Sequence, residues 1–355
     1  MIIRILKIRP NKRQAVQLVT WLNILTGVYN WGIRKIELNA KDHIFFSKID
    51  FHNMLAYHGK KLGIPSHTIQ GILTQAHDAW ERCFKKLAKK PKLKGQRNKL
   101  NSIPFPDKFK APSNNKIIIP GLGKVRYHKQ ALPAAVIKCG RIIKKPSGWY
   151  LCLWLATDHK FPVKQTDKAV GIYPGFSTLL TLSDGVKIEN PRELRAGAKR
   201  LAQAQRGNHQ RLAARLQERQ ANRRFNRNHK ISRWLVENYA VIFYSADNFK
   251  AMAKRFGKSV IEAGLSQLTQ MLTYKCRIGG RKLHPVDSHY TTMTCSTCGS
   301  VTGPKGLSGL AVRFWECSVC GTQHDRDINA AMQVLKTGLG TSHIPEISDT
   351  YREVH

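Results

Sequence analysis

The chain has 355 residues, room for two or three domains rather than one small core, and its 42% apolar content is enough to fill them. Sixty Lys and Arg stand against 22 Asp and Glu, a net charge of +38. Such a field repels itself unless a polyanion neutralises it, so nucleic acid is the expected partner and a small neutral substrate is excluded. The charge divides as +24 over residues 1–160 and +14 over residues 161–355, so neither half is a neutral passenger and a long ligand is expected. No run of about 18 apolar residues occurs, so no membrane span and no membrane partner are expected. Met1–Arg9 alternates instead of forming a secretory core. Eight cysteines without a signal peptide point to a reducing cytoplasm, where thiols bind metal or stay free.

Ile3, Ile5 and Ile8 alternate with Arg4, Lys7 and Arg9, which predicts a strand ended by Pro10. Asn11 is placed to cap a helix through Ala15, Leu18, Trp21, Leu22 and Leu25. Further helical periodicity covers Tyr29–Leu38 and His67–Ala88, the latter entered at Pro65-Ser66. Trp21, Trp31 and Trp80 lie on apolar stripes and are expected in the core. Between Arg82 and Lys99 stand nine cations and no acid, a candidate phosphate-facing surface (Arg82, Lys85, Lys86, Lys89, Lys90), although most charge runs are only solvated faces. Prolines then punctuate short β-rich runs at Lys116–Ile119, Lys124–Tyr127, Ala135–Lys138, Arg141–Lys144 and Trp149–Ala156. That spacing predicts a small barrel or sandwich, with the first strand in the same sheet and the helices inserted into it.

Ala169–Tyr173, Thr178–Ser183 and Val186–Ile188 predict a β-meander. A polar helical segment follows from Pro191 to Tyr239, broken at Gly207-Asn208 into a hairpin. From Arg192 to Arg233 it carries 13 cations, with only Glu193 and Glu218 as acids. Arg211, Arg215 and Arg219 recur at every fourth position, on one face, and Arg223, Arg224 and Arg227 extend the array. A strand at Ala240–Tyr244, a helix at Ser259–Cys276, a strand at Lys282–Val286 and a helix at Ile328–Leu335 complete the pattern. Gly338–His355 is expected to be frayed or loosely docked.

The strongest local signal is Cys295-Ser-Thr-Cys298 and Cys317-Ser-Val-Cys320, two pairs separated by 18 residues and each followed by glycine. Two such knuckles complete a tetrahedron of thiolates, and four sulfurs close the shell, so a structural zinc is expected. Cys83, Cys139, Cys152 and Cys276 lack metal spacing and are read as small apolar residues.

The surroundings of these knuckles carry a resemblance. Tyr274-Lys275, Asp287 through Cys295-Ser-Thr-Cys298-Gly, Phe314-Trp-Glu-Cys317-Ser-Val-Cys320-Gly and Asp325-Arg-Asp327-Ile-Asn329-Ala330-Ala331 follow in the order of the C-terminal half of TnpB. TnpB proteins are transposon-encoded, RNA-guided nucleases. Ala169-Val-Gly-Ile-Tyr173-Pro-Gly175 resembles the first motif of their RuvC domain, and Ile242-Phe-Tyr-Ser245 with Asn248 through Met252 the second. The resemblance implies an α+β multidomain chain. Residues 1–10 and 101–163 form a β-barrel wedge domain, and 11–100 an inserted helical recognition domain. Residues 164–290 and 322–355 form an RNase H-like RuvC domain, with a zinc ribbon at 291–321.

In the family, three carboxylates hold two divalent cations. Here Tyr173 and Ser245 occupy the first two positions, and Asp327 alone remains. Asp247 and Asp184 are the candidate replacements; Asp184 lies past the next strand, and Asp247, two residues beyond Ser245, leaves Tyr173 in place. No Mg²⁺ pair and no cleavage are therefore expected. The combination resembles the nuclease-dead, TnpB-like repressors of the TldR type. It implies a guide RNA, a double-stranded DNA target beside a short motif, repression by a stable R-loop, and a bacterial cytoplasmic, nucleoid-associated protein. His67, Gln70 and Gln75 are candidates for reading the motif. A nuclease with an atypical ligand set and an RNA-binding accessory transposition protein are the alternatives. Oligomeric state stays open, a dimer included.

Overall fold

A computed structural model describes residues 2–106, 110, 112–133, 135–156, 163–306 and 308–340. The chain divides into two compact units, Met1–Asp158 and His159–His355. Both are built from sheets and helices.

The first unit opens with strand β1 (Ile2–Arg9), followed by helices α1 (Lys12–Lys41), α2 (Lys48–Asn53), α3 (His58–Leu62) and α4 (Ser66–Phe84). Strands β2 (Ser102–Phe105), β3 (Lys116–Ile119), β4 (Gly123–Tyr127), β5 (Val136–Lys145) and β6 (Gly148–Ala156) follow. The Asn11 side chain accepts from the Gln14 amide while Gln14 caps back, so α1 starts where the capping residue is. Periodicity seen as two helical stretches is one continuous helix of 30 residues. β1 pairs antiparallel with β6 and β4, so α1 to α4 are an insertion between strands of one sheet, as the sequence predicts.

The expected barrel is an open sheet of order β2-β5-β6-β1-β4-β3. Strand β2, unpredicted because Pro104 interrupts it, is one of the two edges, where a proline without an N–H is tolerated and cannot extend the ladder. The two runs expected at 135–144 are one strand, β5, with a register shift between Ile137 and Cys139. One apolar core holds this unit, from Leu6 and Ile8 through Trp21, Leu25 and Trp80 to Leu151 and Leu153. Trp31 instead is 36% exposed and stacks on Phe51 at 5.7 Å.

The second unit contains β7 (Ala169–Pro174), β8 (Thr178–Leu182), β9 (Lys187–Glu189), α5 (Glu193–Ala196), α6 (Ala198–Arg206) and α7 (Gln210–Asn238). Then come β10 (Val241–Ser245), α8 (Phe249–Ala263), α9 (Leu265–Gly279), β11 (Lys282–Val286), β12 (Phe314–Glu316), β13 (Gln323–Asp325) and α10 (Arg326–Gly340). The break at Gly207-Asn208 is present. The single helix expected at Ser259–Cys276 is two, α8 and α9, because Gly264 adopts a left-handed φ of 63°. The expected frayed end lies outside the described residues beyond 340. The five strands run β11-β10-β7-β8-β9, with β7 antiparallel to β8, β8 antiparallel to β9, and β10 parallel to both β7 and β11.

Helix α10 lies against β7 and β10 at backbone contact. A Cβ at Gly171 would sit 2.2 Å from the Ala331 carbonyl oxygen, and one at Gly338 would sit 2.2 Å from the Phe243 ring. Gly171→Ala is expected to lower the stability of this unit by about 1–3 kcal/mol in chemical denaturation, because the contact is backbone and cannot yield.

Lys275, 6% exposed, ties α9 to α7 by donating to the His229 carbonyl at 2.6 Å and to Ser232 Oγ at 2.8 Å. Burial pulls its ammonium down to about 8. The unfolded chain, with lysine near its ordinary value, binds more protons between pH 8 and 10.5, so this group adds stability as pH rises through that window. The gain is bounded at about 3 kcal/mol. Lys275→Met should remove this rise, read as the difference between wild-type and variant denaturation curves at pH 7 and pH 10. No helix among the described residues is long and apolar enough to cross a membrane.

Candidate functional site

β7 and β10 are parallel neighbours, with Ile172 paired to Tyr244; the next residues, Tyr173 and Ser245, stand near the strand ends, paired outward to Thr181 of β8 and Val286 of β11. Side chains alternate along a strand, so Tyr173 shares its face with Gly171 and Ser245 shares its face with Phe243. Both faces are covered by α10. Asp325 starts that helix, its Oδ1 accepting from the amides of Asp327 and Ile328. The first turn thus presents Asp327 toward the strand ends. The Tyr173 phenol feels the charges of Asp327 and of Asp247, the acid to which Ser245 is bonded.

What stands there is not three carboxylates. The Tyr173 phenol is pushed up to about 12, first by burial and then by the charges of Asp247 and Asp327, so it is neutral. Ser245 is 1% exposed and its hydroxyl donates to Asp247 Oδ2 at 2.9 Å. Two acids, Asp247 and Asp327, therefore flank one phenol. Asp184, the other candidate replacement, accepts from the Tyr239 hydroxyl at 2.5 Å; Tyr239 precedes β10, so this is the opposite end of the strand. Sequence reasoning missed Arg313, whose Nη1 donates to Asp327 Oδ2 at 3.4 Å. Nothing in the local sequence marks it, since the contact arises from folding of the β12–β13 hairpin.

The four predicted cysteines converge, with their sulfurs all within 4.8 Å of one another. Cys295 to Cys320 is 3.7 Å and Cys298 to Cys317 is 3.6 Å. Zinc–sulfur bonds of about 2.3 Å place tetrahedral sulfurs about 3.8 Å apart, so the donor set fits zinc. Gly299 and Gly321 adopt φ of 80° and 66°, and each returns its N–H to the first cysteine carbonyl of its knuckle at 2.9 Å. The Thr302 hydroxyl, donating to Cys317 at 3.3 Å, is the main cause that holds this thiol down to about 6. His324 Nε2 lies 3.0 Å from Cys295 Sγ.

One side of α10 grips the first knuckle. Asn329, 1% exposed, accepts from the Ser296 amide and donates to the Thr294 carbonyl, both at 2.8 Å. Gln333 donates to the Cys295 carbonyl at 2.9 Å, and Lys336 donates to the Ser296 carbonyl. The knuckle and the acid are thus joined by one helix.

The cationic candidates separate. Arg211, Arg215, Arg219 and Arg223 lie exposed on α7 and make no ion pair among the described residues. Arg224 packs its methylenes where a Gly264 Cβ would point. Arg227 turns inward instead. It pairs with Glu193 at 2.8 Å and donates to the Ala263 carbonyl at 2.7 Å. In the first unit α4 ends at Phe84, so Lys85, Lys86, Lys89 and Lys90 follow the helix. The acids missing from that run arrive from elsewhere: Glu81 pairs with Lys85 at 2.6 Å, and Glu37 pairs with Lys90. Arg82, Lys86 and Lys89 are exposed. His67 is exposed, Gln70 is half-buried, and Gln75 has its Nε2 buried without a partner, a poor arrangement for reading a base.

A family profile described as the Cas12f1-like TNB domain matches residues 266–334. A provisionally named RNA-guided DNA endonuclease of Streptomyces pristinaespiralis is 30% identical over 298 residues, covering 79% of this chain and 73% of that protein. A TnpB-like protein of Acanthamoeba polyphaga mimivirus is 34% identical over 119 residues, 31% of this chain and 22% of that one. A solved complex of Cas12f1 with single-guide RNA and target DNA aligns over 94% of this chain and 99% of its own, at 15% identity and a TM-score of 0.37.

Zinc analysis of the purified chain should give one equivalent, and Cys317→Ser should abolish it. That variant should lower the melting midpoint by about 5–10 °C, because α10 loses its anchor. A full equivalent retained by Cys317→Ser would contradict the cluster. With knuckles, helix and strand ends in one arrangement, and relatives matched along most of its length, the chain belongs to the TnpB family.

Proposed function

We propose that this chain is an RNA-guided DNA-binding protein without nuclease activity, which represses transcription by holding an R-loop over a promoter. The observation that carries the reading is the pair Tyr173 and Ser245 at the ends of β7 and β10. The five-strand order, three antiparallel strands followed by two parallel ones, supports a RuvC-type domain of RNase H fold. In that fold these two strand ends and the first turn of α10 would hold the carboxylates. A neutral phenol and a hydroxyl bonded to Asp247 are poor ligands for a hard divalent cation, which takes anionic oxygens. Without two cations to stabilise attacking and leaving oxygens, a phosphodiester in this site is bound but not cut.

The fold of the first unit supports a wedge sheet carrying an inserted recognition domain. Guide RNA would supply sequence by base pairing, while protein reads backbone shape and a short duplex motif. The exposed arginine row on α7 suits phosphates along a backbone, because guanidinium groups bind them bidentately. A stably held R-loop blocks polymerase sterically, so no chemistry is needed.

Purified protein with its copurifying RNA should bind a matching duplex and leave it intact in Mg²⁺. Replacing Arg211, Arg215, Arg219 and Arg223 by Gln should weaken binding to all sequences and reduce the salt slope by about 3–4. Cleavage that disappears on Asp327→Ala would overturn the reading in favour of an active nuclease using Asp247. Binding to RNA alone, with no DNA occupancy, would favour an accessory RNA-binding role.

A further inference from the structure

The divalent pair implied by the family does not fit the residues at the strand ends, and the misfit extends beyond the two lost carboxylates. Three cations stand near the start of α10, and two are committed elsewhere. Lys187 binds Asp325 at 2.6 Å. Arg326 donates to the Gly309 carbonyl at 2.7 Å. The third, Arg313, is fixed at its backbone, where its carbonyl accepts from the Arg326 amide at 2.8 Å. The adjoining β12–β13 ladder pairs Phe314 with Asp325. From there its half-exposed side chain reaches Asp327 at 3.4 Å, whose own side chain is 18% exposed. Asp247, the other acid, already accepts the Ser245 hydroxyl.

We infer that Arg313 is a counter-ion to Asp327, a monovalent charge supplied from the residue before the ribbon hairpin that neutralises the last family carboxylate and keeps divalent cations out. This rests on the proposed loss of nuclease activity and names a third change behind it. Restoring the two carboxylates is then insufficient, because a guanidinium bound to Asp327 competes for its oxygens and repels an incoming cation.

The test is Mn²⁺ titration followed by electron paramagnetic resonance on the full chain, zinc-loaded and free of RNA. Tyr173→Asp with Ser245→Glu should bind Mn²⁺ as weakly as wild type. Adding Arg313→Gln should tighten binding by about tenfold or more. Adding Arg313→Lys instead should leave it weak, because the charge is kept. A merely structural role for Arg313 would not separate Gln from Lys. Equal affinity in the double variant and both triple variants, tight or weak, would overturn the inference. So would tightening by Lys as large as by Gln. The readout involves neither RNA nor DNA, so cleavage by the wild-type complex would overturn the proposed function while leaving this result to be judged by itself.

Discussion

The second unit depends on how closely α10 is seated. The helix touches the sheet where Gly171 and Gly338 leave no side chain in the way, so backbone meets backbone on β7 and a ring meets bare Cα on β10. Its polar side carries Asn329, Gln333 and Lys336, which hold the carbonyls of the first cysteine knuckle. Its first turn carries Asp327. Sheet, cysteine knuckle and acid therefore share one rigid element. A helix displaced by even an ångström would lose buried hydrogen bonds to the knuckle, each of which is costly to leave unmade.

This seating explains why residues far apart in sequence act locally. Tyr173 and Asp327 are separated by more than half of the second unit, yet the charge of Asp327 helps raise the phenol. Arg313 reaches the same acid only because the hairpin that follows it is pinned to the helix start. The arginines of α7 show the opposite effect of geometry. Each fourth position advances roughly 40° around a helix, so the row that faces outward from Arg211 to Arg223 has turned by Arg227 into the gap between α5 and the α8–α9 corner. There it satisfies carbonyls that a broken helix leaves open.

Legibility followed the range of the determining interaction. The α1 start was readable because Asn11 and Gln14 are three residues apart, and the cysteine knuckles because each closes within a few residues. The break at Gly264 was hidden, because the periodicity of α8 and α9 continues across it and only the left-handed φ ends the helix. Strand β2 was hidden because Pro104 argues against a strand unless the strand is an edge, and edge position is a property of the whole sheet. The pairing of Lys90 with Glu37 spans 53 residues, so a run that lacks acids in sequence still meets one in space. The strand-end positions were legible through family resemblance, but their electrostatics were not, since Arg313 enters from the ribbon.

Binding and cutting make unequal demands on such a chain. Holding a nucleic acid draws on a broad cationic surface, where each contact contributes a little and no single residue is decisive. Cutting draws on a few anions crowded into one place, which repel each other until cations arrive. In the proposed reading, the neutral pair at Tyr173 and Ser245 removes that repulsion, and Arg313 relieves what remains at Asp327. The strand ends then need no metal to be stable. These changes lie near the C-terminal ends of β7 and β10, on the sheet face opposite Val170, Ile172 and Ile242, which belong to the core of the other face. The scaffold that carries the positive surface is therefore untouched by them, and loss of chemistry need not weaken the grip.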